Sequence, residues 1–489
     1  MIKQRKMLYI ELIFSFLLAI LFLLVCSKNS PIYPMNDWVD TCCIFTVGKS
    51  LNNGAILYKD VFDHKGPVLY FLFSIASLVS KKSFIGVWVL EVLSISGFLF
   101  FSTQSLKVLV KSKRIIYFLL PLLALSVLTS SAFSHGGSAE ELMLLPLSYS
   151  MYYFLRIIKD VPVKPYEHIL TGLSFAVVFW TKYTMIGLYI GAYIFLLGVC
   201  IFRKDKYLFR KLLLNVVGFL MITIAVLAYF LYHSALKDLW DVYFYDNIFL
   251  YGTKVSFLRK LRSLCGTVLD ATKGNFLFAV LAYLGIFWMV LKKKKEALLC
   301  IMMFGFSVFF AFIGKYYVYY SLILCVYSIL GFYPVSEILA KILKNNIGCG
   351  VKRIGITASV VVCLVASFFL SKNTYLLKYS KEDMPQYQFA EIINQKENPT
   401  LLNYRFLDGG FYFAADIVPE NKYFYFSNLR APGMQEEQDD MVKNGSVDFL
   451  VMRDNVLDYF VPEHDYKLVA GSKMYLEGKV RRYYLYQKN

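Results

Sequence analysis

The sequence predicts an all-α polytopic membrane protein of about eleven transmembrane helices, with a small α/β extracytoplasmic C-terminal domain. Three observations carry that reading. Of 489 residues, 58% are hydrophobic and only 18% are charged, and the mean hydropathy is +0.53; soluble chains sit near ~45–50% apolar. The apolar residues fall in blocks of roughly 17–22, the length that crosses a hydrocarbon core. From about residue 372 those blocks stop and charge runs through the rest of the chain.

Lys3, Arg5 and Lys6 precede an apolar run at 8–25. No small-residue cleavage site follows it, so the run reads as an uncleaved first span with its N-terminus cytoplasmic. The polar stretch 27–66 is then outside. The next apolar run, 67–80, reaches only about 21 Å as a helix, short of the ~30 Å core, and reads as an interfacial helix. The remaining spans are 84–106, 115–132, 138–155, 168–181, 184–202, 212–232, 275–291, 296–313, 317–340 and 354–371. With this threading the inner loops after the second span, such as 107–114 and 203–211, hold 20 basic residues and the matching outer loops hold 8. If 67–80 crossed, every later loop would flip and the bias would reverse. An odd count of spans leaves 372–489 outside. Two domains follow: 1–371 in the membrane, with outer loops 27–83 and 233–274, and the soluble tail 372–489.

The tail alternates short strand-like runs at 400–406, 422–427, 448–452 and 482–486 with amphipathic helices at 385–396 and 434–444. It is long enough to bury a core of its own. None of the nine cysteines lies in it, which excludes a disulfide-stapled exterior domain, and adjacent Cys42 and Cys43 read as free thiols. The net charge of +18 would point a soluble chain toward nucleic acid. Here the bases lie in short loops, as membrane orientation requires, and nucleic acid is not an expected partner.

Acidic residues are rare in the membrane part, so their placement is informative. The first outer loop holds Asp37, Asp40, Asp60, Asp63, His64 and Lys65 just before Pro67. A solvated loop accounts for the charge, but less well for a short interfacial helix that closes it onto the membrane. A carboxylate there can serve as a general base, and a lysine can hold a lipid phosphate as a point charge. Between spans 3 and 4, Glu140 and Glu141 follow Ser138. They form either a helix N-terminal cap or a second acidic set able, with Asp40, to bind a divalent cation through oxygens. The long loop 233–274 joins Trp240 and a Tyr/Phe-rich stretch to Lys254, Arg259, Lys260 and Arg262. It reads as an interfacial anchor or as a seat for an anionic headgroup and a sugar ring. Lys315, before Tyr316 and Tyr317, is a snorkelling base or a phosphate contact. Within the spans, Glu91 and Glu337 stand out. The run of mid-membrane acids expected for ion-coupled transport is absent. No nucleotide-binding glycine motif, His-Glu-x-x-His or nucleophile elbow occurs.

Asp40, then Gly54, Leu57-Tyr58-Lys59-Asp60 and Phe62-Asp63-His64-Lys65-Gly66-Pro67 together resemble the first-loop signature of bacterial GT-C glycosyltransferases, similar to protein O-mannosyltransferases and the lipid A aminoarabinose transferase. The resemblance extends to the interfacial helix, the second acidic motif at Glu140 and Glu141, the long loop 233–274 and the outer C-terminal domain. It departs at Lys315-Tyr316, where many members carry His-Tyr. It implies a polyprenyl-phosphate-linked sugar donor used at the outer face of a bacterial cell membrane. The acceptor would be an envelope glycan, lipid or protein. Asp40 would be the catalytic base, with Asp37 competing, and transfer would invert the anomeric carbon. The donor phosphate would meet His64, Lys65, Arg259, Lys260, Arg262 and Lys315. No cofactor is certain, and a divalent cation at Asp40 and Glu140 is compatible with the residues. Three other readings stay open. A lipid-linked polysaccharide polymerase or ligase would favour outer arginines. A transporter would show repeats or broken polar helices. A non-catalytic glycan-binding scaffold needs no base.

Overall fold

The computed structural model describes residues 2–110, 116–251, 256–342, 349–454, 466–476 and 479–489. Residues 111–115 and 343–348, and Lys254, lie outside the described residues. Each of the eleven apolar segments is helical, from Ile2–Cys26 through Ile85–Leu109 to Cys349–Leu370. Helix length is more varied than the sequence reading implies. Among the described residues, four helices are long and apolar enough to cross a membrane: Arg5–Cys26, Ile85–Leu109, Lys206–Tyr232 and Val318–Leu339. A fifth arises if Phe257–Gly274 and Phe276–Leu291, bent by 116°, count as one span. Five further apolar helices are shorter, among them Ile116–Leu128, Gly187–Arg203 and Ala297–Phe312. The chain is thus a multi-pass membrane protein by its helices, while the count of eleven crossings goes beyond what helix length establishes.

The chain divides into two compact units. The first comprises Met1–Ser30, Trp88–Ala225 and Thr253–Thr374 and is helical. Small residues let its helices approach. Gly187 and Gly191 lie four apart on Gly187–Arg203, and a Cβ on them would come within 2.3 and 2.4 Å of the Phe306 and Met302 carbonyl oxygens on helix Ala297–Phe312. Close backbone contact through small residues is how helices associate where no hydrophobic drive separates protein from lipid. Several buried charges are paired. Glu11 meets the Lys107 ammonium and accepts from Gln104 at 2.9 Å and from the Tyr117 hydroxyl. Arg156 pairs with Glu167. Glu11 lies within the first span, where an acid was not singled out from the sequence.

The second unit comprises Pro31–Val87, Val226–Gly252 and Tyr375–Asn489. Helix Pro67–Val79 starts with Pro67 in its first turn, a position whose missing N–H is unused anyway. It buries Leu69, Tyr70 and Phe73 against helix Val39–Asn52, with Gly48 at the crossing, where a Cβ would come within 2.7 Å of the Phe73 carbonyl carbon. The C-terminal sheet has strands β1 (Leu401–Asn403), β2 (Phe449–Arg453), β3 (Tyr466–Leu476) and β4 (Lys479–Lys488) in the order β1-β2-β4-β3. β1 and β2 are parallel and the other pairs antiparallel. Helices Pro385–Ile393 and Met434–Lys443 match the predicted pair. Leu402, Tyr404, Met441, Val442, Leu450, Met452 and Tyr486 form the core.

Two sequence expectations change in this sheet. The run 422–427 opens in a turn and joins no ladder. The Asn403 amide donates to the Phe424 carbonyl and the Phe426 amide to the Phe406 carbonyl, so three steps on one segment face two on the other. Arg405, at φ +59°, takes up the extra residue and breaks the register. β3 was not predicted because most of its side chains are exposed, only Tyr466 and Met474 being buried, and an edge strand of this kind lacks apolar alternation.

Candidate functional site

Within the second unit the turn 56–66 carries the charged cluster. The Ile56 amide donates to Asp60 Oδ2 at 2.8 Å and the Tyr58 amide to the Val61 carbonyl at 3.0 Å. Tyr58 is fully buried at φ +66° and stacks on Phe230, centroids 5.6 Å apart. A left-handed tyrosine persists only where its surroundings fix it; here its hydroxyl donates to the Lys65 carbonyl. The Lys65 amide donates to the Tyr70 hydroxyl at 3.0 Å. Asn247 donates from Nδ2 to the His64 carbonyl at 2.7 Å, and the His64 ring lies 4.9 Å from that of Tyr251. The backbone of 64–65 is therefore held from several sides before any charge is considered.

The charges then sort by exposure. Asp63 is 1% exposed. Its Oδ1 accepts from the Tyr425 hydroxyl at 3.0 Å and from the His64 amide at 2.8 Å, and the thiol of Cys43 approaches Oδ2 at 3.6 Å. Lys65 Nζ stands 3.7 Å from Asp63 Oδ2 and 3.3 Å from Asp40 Oδ2. Asp40, in the first turn of helix Val39–Asn52, keeps 18% of its side chain accessible and Lys65 keeps 13%. Burial alone would raise the Asp63 carboxyl, but Lys65 and His64 outweigh it and hold it below the usual carboxylate range. For Lys65, burial disfavours the ammonium and the two carboxylates overcome it, so its pKa lies above the ordinary lysine value. The result is a permanently charged ammonium anchored on a buried carboxylate and presented beside an accessible one. Such a pair can accept a proton at Asp40 and stabilise a nearby anion at Lys65.

The structure thus brings together Asp40, His64 and Lys65, and adds Asp63 and Tyr425, which sequence reasoning did not assign to the site. Asp37 is buried and accepts from the Tyr375 hydroxyl at 3.1 Å.

In the first unit the two glutamates of the second motif separate in role. Glu141 belongs to the helix N-terminal cap: its amide donates to Ser138 Oγ at 3.2 Å, and its carboxylate accepts from Ser138 Oγ at 3.0 Å and from the Gly137 amide at 2.9 Å. The Gly137 amide also donates to Glu91 at 2.7 Å, and Ser27 donates to Glu91 at 2.5 Å. Glu140 is 2% exposed and pairs with Lys182, whose ammonium sits 3.3 Å from the Tyr320 ring centroid. Glu140 Oε2 has no hydrogen-bond partner among the described residues. Arg259 and Arg262 are exposed and Lys260 half-buried on helix Phe257–Gly274. Lys315 lies over the Tyr317 ring at 5.3 Å. Among the described residues no group of three or more His, Cys, Asp or Glu side chains is placed to hold a metal ion.

No protein-family model and no curated protein sequence matches the chain. Solved structures do. ArnT from Cupriavidus metallidurans in the apo state superposes with a TM-score of 0.63 at 13% identity, over 97% of this chain and 97% of that one. The same protein bound to undecaprenyl phosphate gives 0.62 at 12% identity with the same coverage. An apo oligosaccharyltransferase from Archaeoglobus fulgidus gives 0.49 at 12% identity, over 91% of this chain and 69% of that one. At such identity the likeness to ArnT speaks to fold, and the chain has the fold of the GT-C glycosyltransferases that its first loop resembles.

Proposed function

We propose that the chain transfers a sugar from a polyprenyl-phosphate donor to an acceptor hydroxyl at the outer face of the cell membrane, with inversion. The observation that carries this reading is the Asp40–Lys65–Asp63 arrangement immediately before the short apolar helix Pro67–Val79. Asp40 takes the acceptor proton as the acceptor oxygen bonds to the anomeric carbon. The bond from that carbon to the phosphate oxygen breaks, its electron pair leaves with the polyprenyl phosphate, and the Lys65 ammonium offsets the charge. Asp63 touches neither reactant and positions Lys65. Undecaprenyl phosphate bound to ArnT supports a lipid of this class as the donor carrier. The excess of bases in the inner loops supports the sidedness, as does the packing of 31–87, 226–252 and 375–489 in one unit, since these are the segments read as outer. His64, Glu140, and the bases Arg259, Lys260, Arg262 and Lys315 are proposed as further contacts to donor or acceptor. Eleven crossings are part of the same proposal.

The test is sugar transfer by purified protein in nanodiscs, with a panel of polyprenyl-phosphate sugars and an envelope extract as acceptor. Asp40→Asn should abolish transfer and donor hydrolysis while the protein stays folded. Near-normal turnover by that variant would reject the assignment of the base. Binding of the lipid without turnover by the wild type would favour a scaffold or a transporter.

A further inference from the structure

A cavity of about 330 Å³ lies in the second unit, apart from the Asp40–Lys65 pair, and charges of both signs line it. Residues 239–250 form a π-helix, in which residues five apart stack on one face. Asp241 and Asp246 have that spacing and both line the cavity, and Lys422 is the one cation among the described lining residues. Asp246 is 7% exposed. Among the described residues its carboxylate makes no hydrogen bond and the Lys422 ammonium no ion pair. Charges so enclosed are normally paired; here the two signs are held apart, each open to the same cavity. Phe62 and Tyr423 supply aromatic wall and meet edge to face at 5.3 Å. The Phe62 amide donates to the Lys422 carbonyl at 3.1 Å, so the wall is fixed. The rest of the π-helix is apolar and exposed at Trp240, Ile248 and Phe249, and Tyr245, which lines the cavity, packs on Phe249 with centroids 5.0 Å apart. The segment closely follows helix Lys206–Tyr232, which is long and apolar enough to cross a membrane. Exposed Trp and Tyr just beyond a span mark the headgroup layer.

We propose that this cavity binds the headgroup of phosphatidylethanolamine, its ammonium on Asp246 and Asp241 and its phosphate on Lys422. A ligand carrying both charges satisfies both sides of the cavity, which a cation or an anion alone does not. A primary ammonium donates three hydrogen bonds to the carboxylates and a quaternary one none, while the aromatic wall attracts either. The volume lies in the range of small-molecule sites. Burial, and then Asp241, push the Asp246 carboxyl up to about 6, against the pull of Lys422, so most of it is ionised at pH 7. Lys237, 3.9 Å from Asp241, and Glu437, raised by burial against the pull of Lys422, complete the surrounding charges.

The test is calorimetric titration of the full-length protein in detergent at pH 7 with glycerophosphoethanolamine, glycerophosphocholine, glycerophosphoglycerol and ethanolamine. It requires no turnover, so it succeeds or fails apart from the transfer reaction. Glycerophosphoethanolamine should bind about tenfold or more tightly than each of the others, the factor of one charge-assisted hydrogen bond. Asp246→Asn should weaken it about as much, Lys422→Gln should bring it to the affinity of ethanolamine, and Ala431→Trp should fill the cavity and abolish binding. A soluble phosphoamine carries the same two charges, so a second arm compares unfolding midpoints in phosphatidylglycerol nanodiscs with and without phosphatidylethanolamine. That lipid should raise the midpoint of the wild type and not that of Asp246→Asn. No binding, equal binding of glycerophosphoglycerol or ethanolamine, or affinity unchanged in Asp246→Asn, Lys422→Gln or Ala431→Trp would overturn the proposal. Equal binding of glycerophosphocholine would overturn the ethanolamine assignment, and headgroup binding without a midpoint difference would overturn the lipid assignment in favour of a soluble ligand.

Discussion

The Tyr425 hydroxyl donates to Asp63 Oδ1 at 3.0 Å across 362 positions of sequence. A residue of the C-terminal tail thereby supports the carboxylate on which Lys65 is anchored. Tyr425→Phe removes one hydrogen bond to a buried charge, which is worth about 1.5–3 kcal/mol. Thermal unfolding in detergent should show a loss of that order, together with reduced transfer, because Lys65 is less firmly placed.

Lys65 and Asp63 should behave as a coupled pair. Lys65→Met leaves Asp63 buried beside no ammonium, a situation that destabilises by about 3–5 kcal/mol. Adding Asp63→Asn should recover much of the stability but none of the transfer activity. A double-mutant cycle on unfolding midpoints, run beside turnover, separates the two effects. Additive stability losses would show that the 3.7 Å pairing contributes nothing.

Asp408 should make the protein less stable as pH rises through the weakly acid range. It is fully buried and accepts from Thr46, Asn403 and Gly410 at 2.9–3.0 Å. Burial still raises it to about 6. Between about pH 4 and 6 the folded state then binds more protons than the unfolded one, so stability falls with rising pH, by about 3 kcal/mol in all. Asp408→Asn keeps the shape and should raise the unfolding midpoint at pH 7 but not at pH 4. The Asp63 carboxyl has the opposite sign: its contribution is present above the unfolded carboxylate value and is lost only at lower pH.

Glu140 and Lys182 give a prediction in the first unit. Lys182→Met strands a carboxylate that is 2% exposed and should destabilise by about 3–5 kcal/mol, whereas Lys182→Met with Glu140→Gln should be far milder. Unfolding midpoints of the three variants check this.

Much of the architecture was legible because one-dimensional patterns encode it. The apolar runs gave helical segments, Pro67 marked the start of a short helix, and Ser138 marked a helix N-terminal cap. The candidate site was legible in part. Asp40, His64 and Lys65 are close in sequence and chemically conspicuous. Tyr425, Asn247 and Lys182 were not, because each reaches its partner through tertiary folding that no local period records. The strand reading of 422–427 failed for a related reason: its aromatic residues favour strands, but the chain turns at 422–423 and again at Arg405 on the neighbouring segment, and no ladder closes. Helix length in turn separates an apolar run from a crossing, and several runs yield helices of only 13–17 residues.

The second unit is assembled from 31–87, 226–252 and 375–489, and this has a consequence for biogenesis. The residues around Lys65 leave the ribosome early, yet Tyr425 is made only near the end of synthesis. Until the tail has been delivered to the same compartment, Asp63 lacks one of its hydrogen-bond donors and the early loop waits in an immature state. The tail is therefore more than an appended module, since its removal would take a hydrogen-bond donor from a cluster whose charged members are all encoded hundreds of codons upstream.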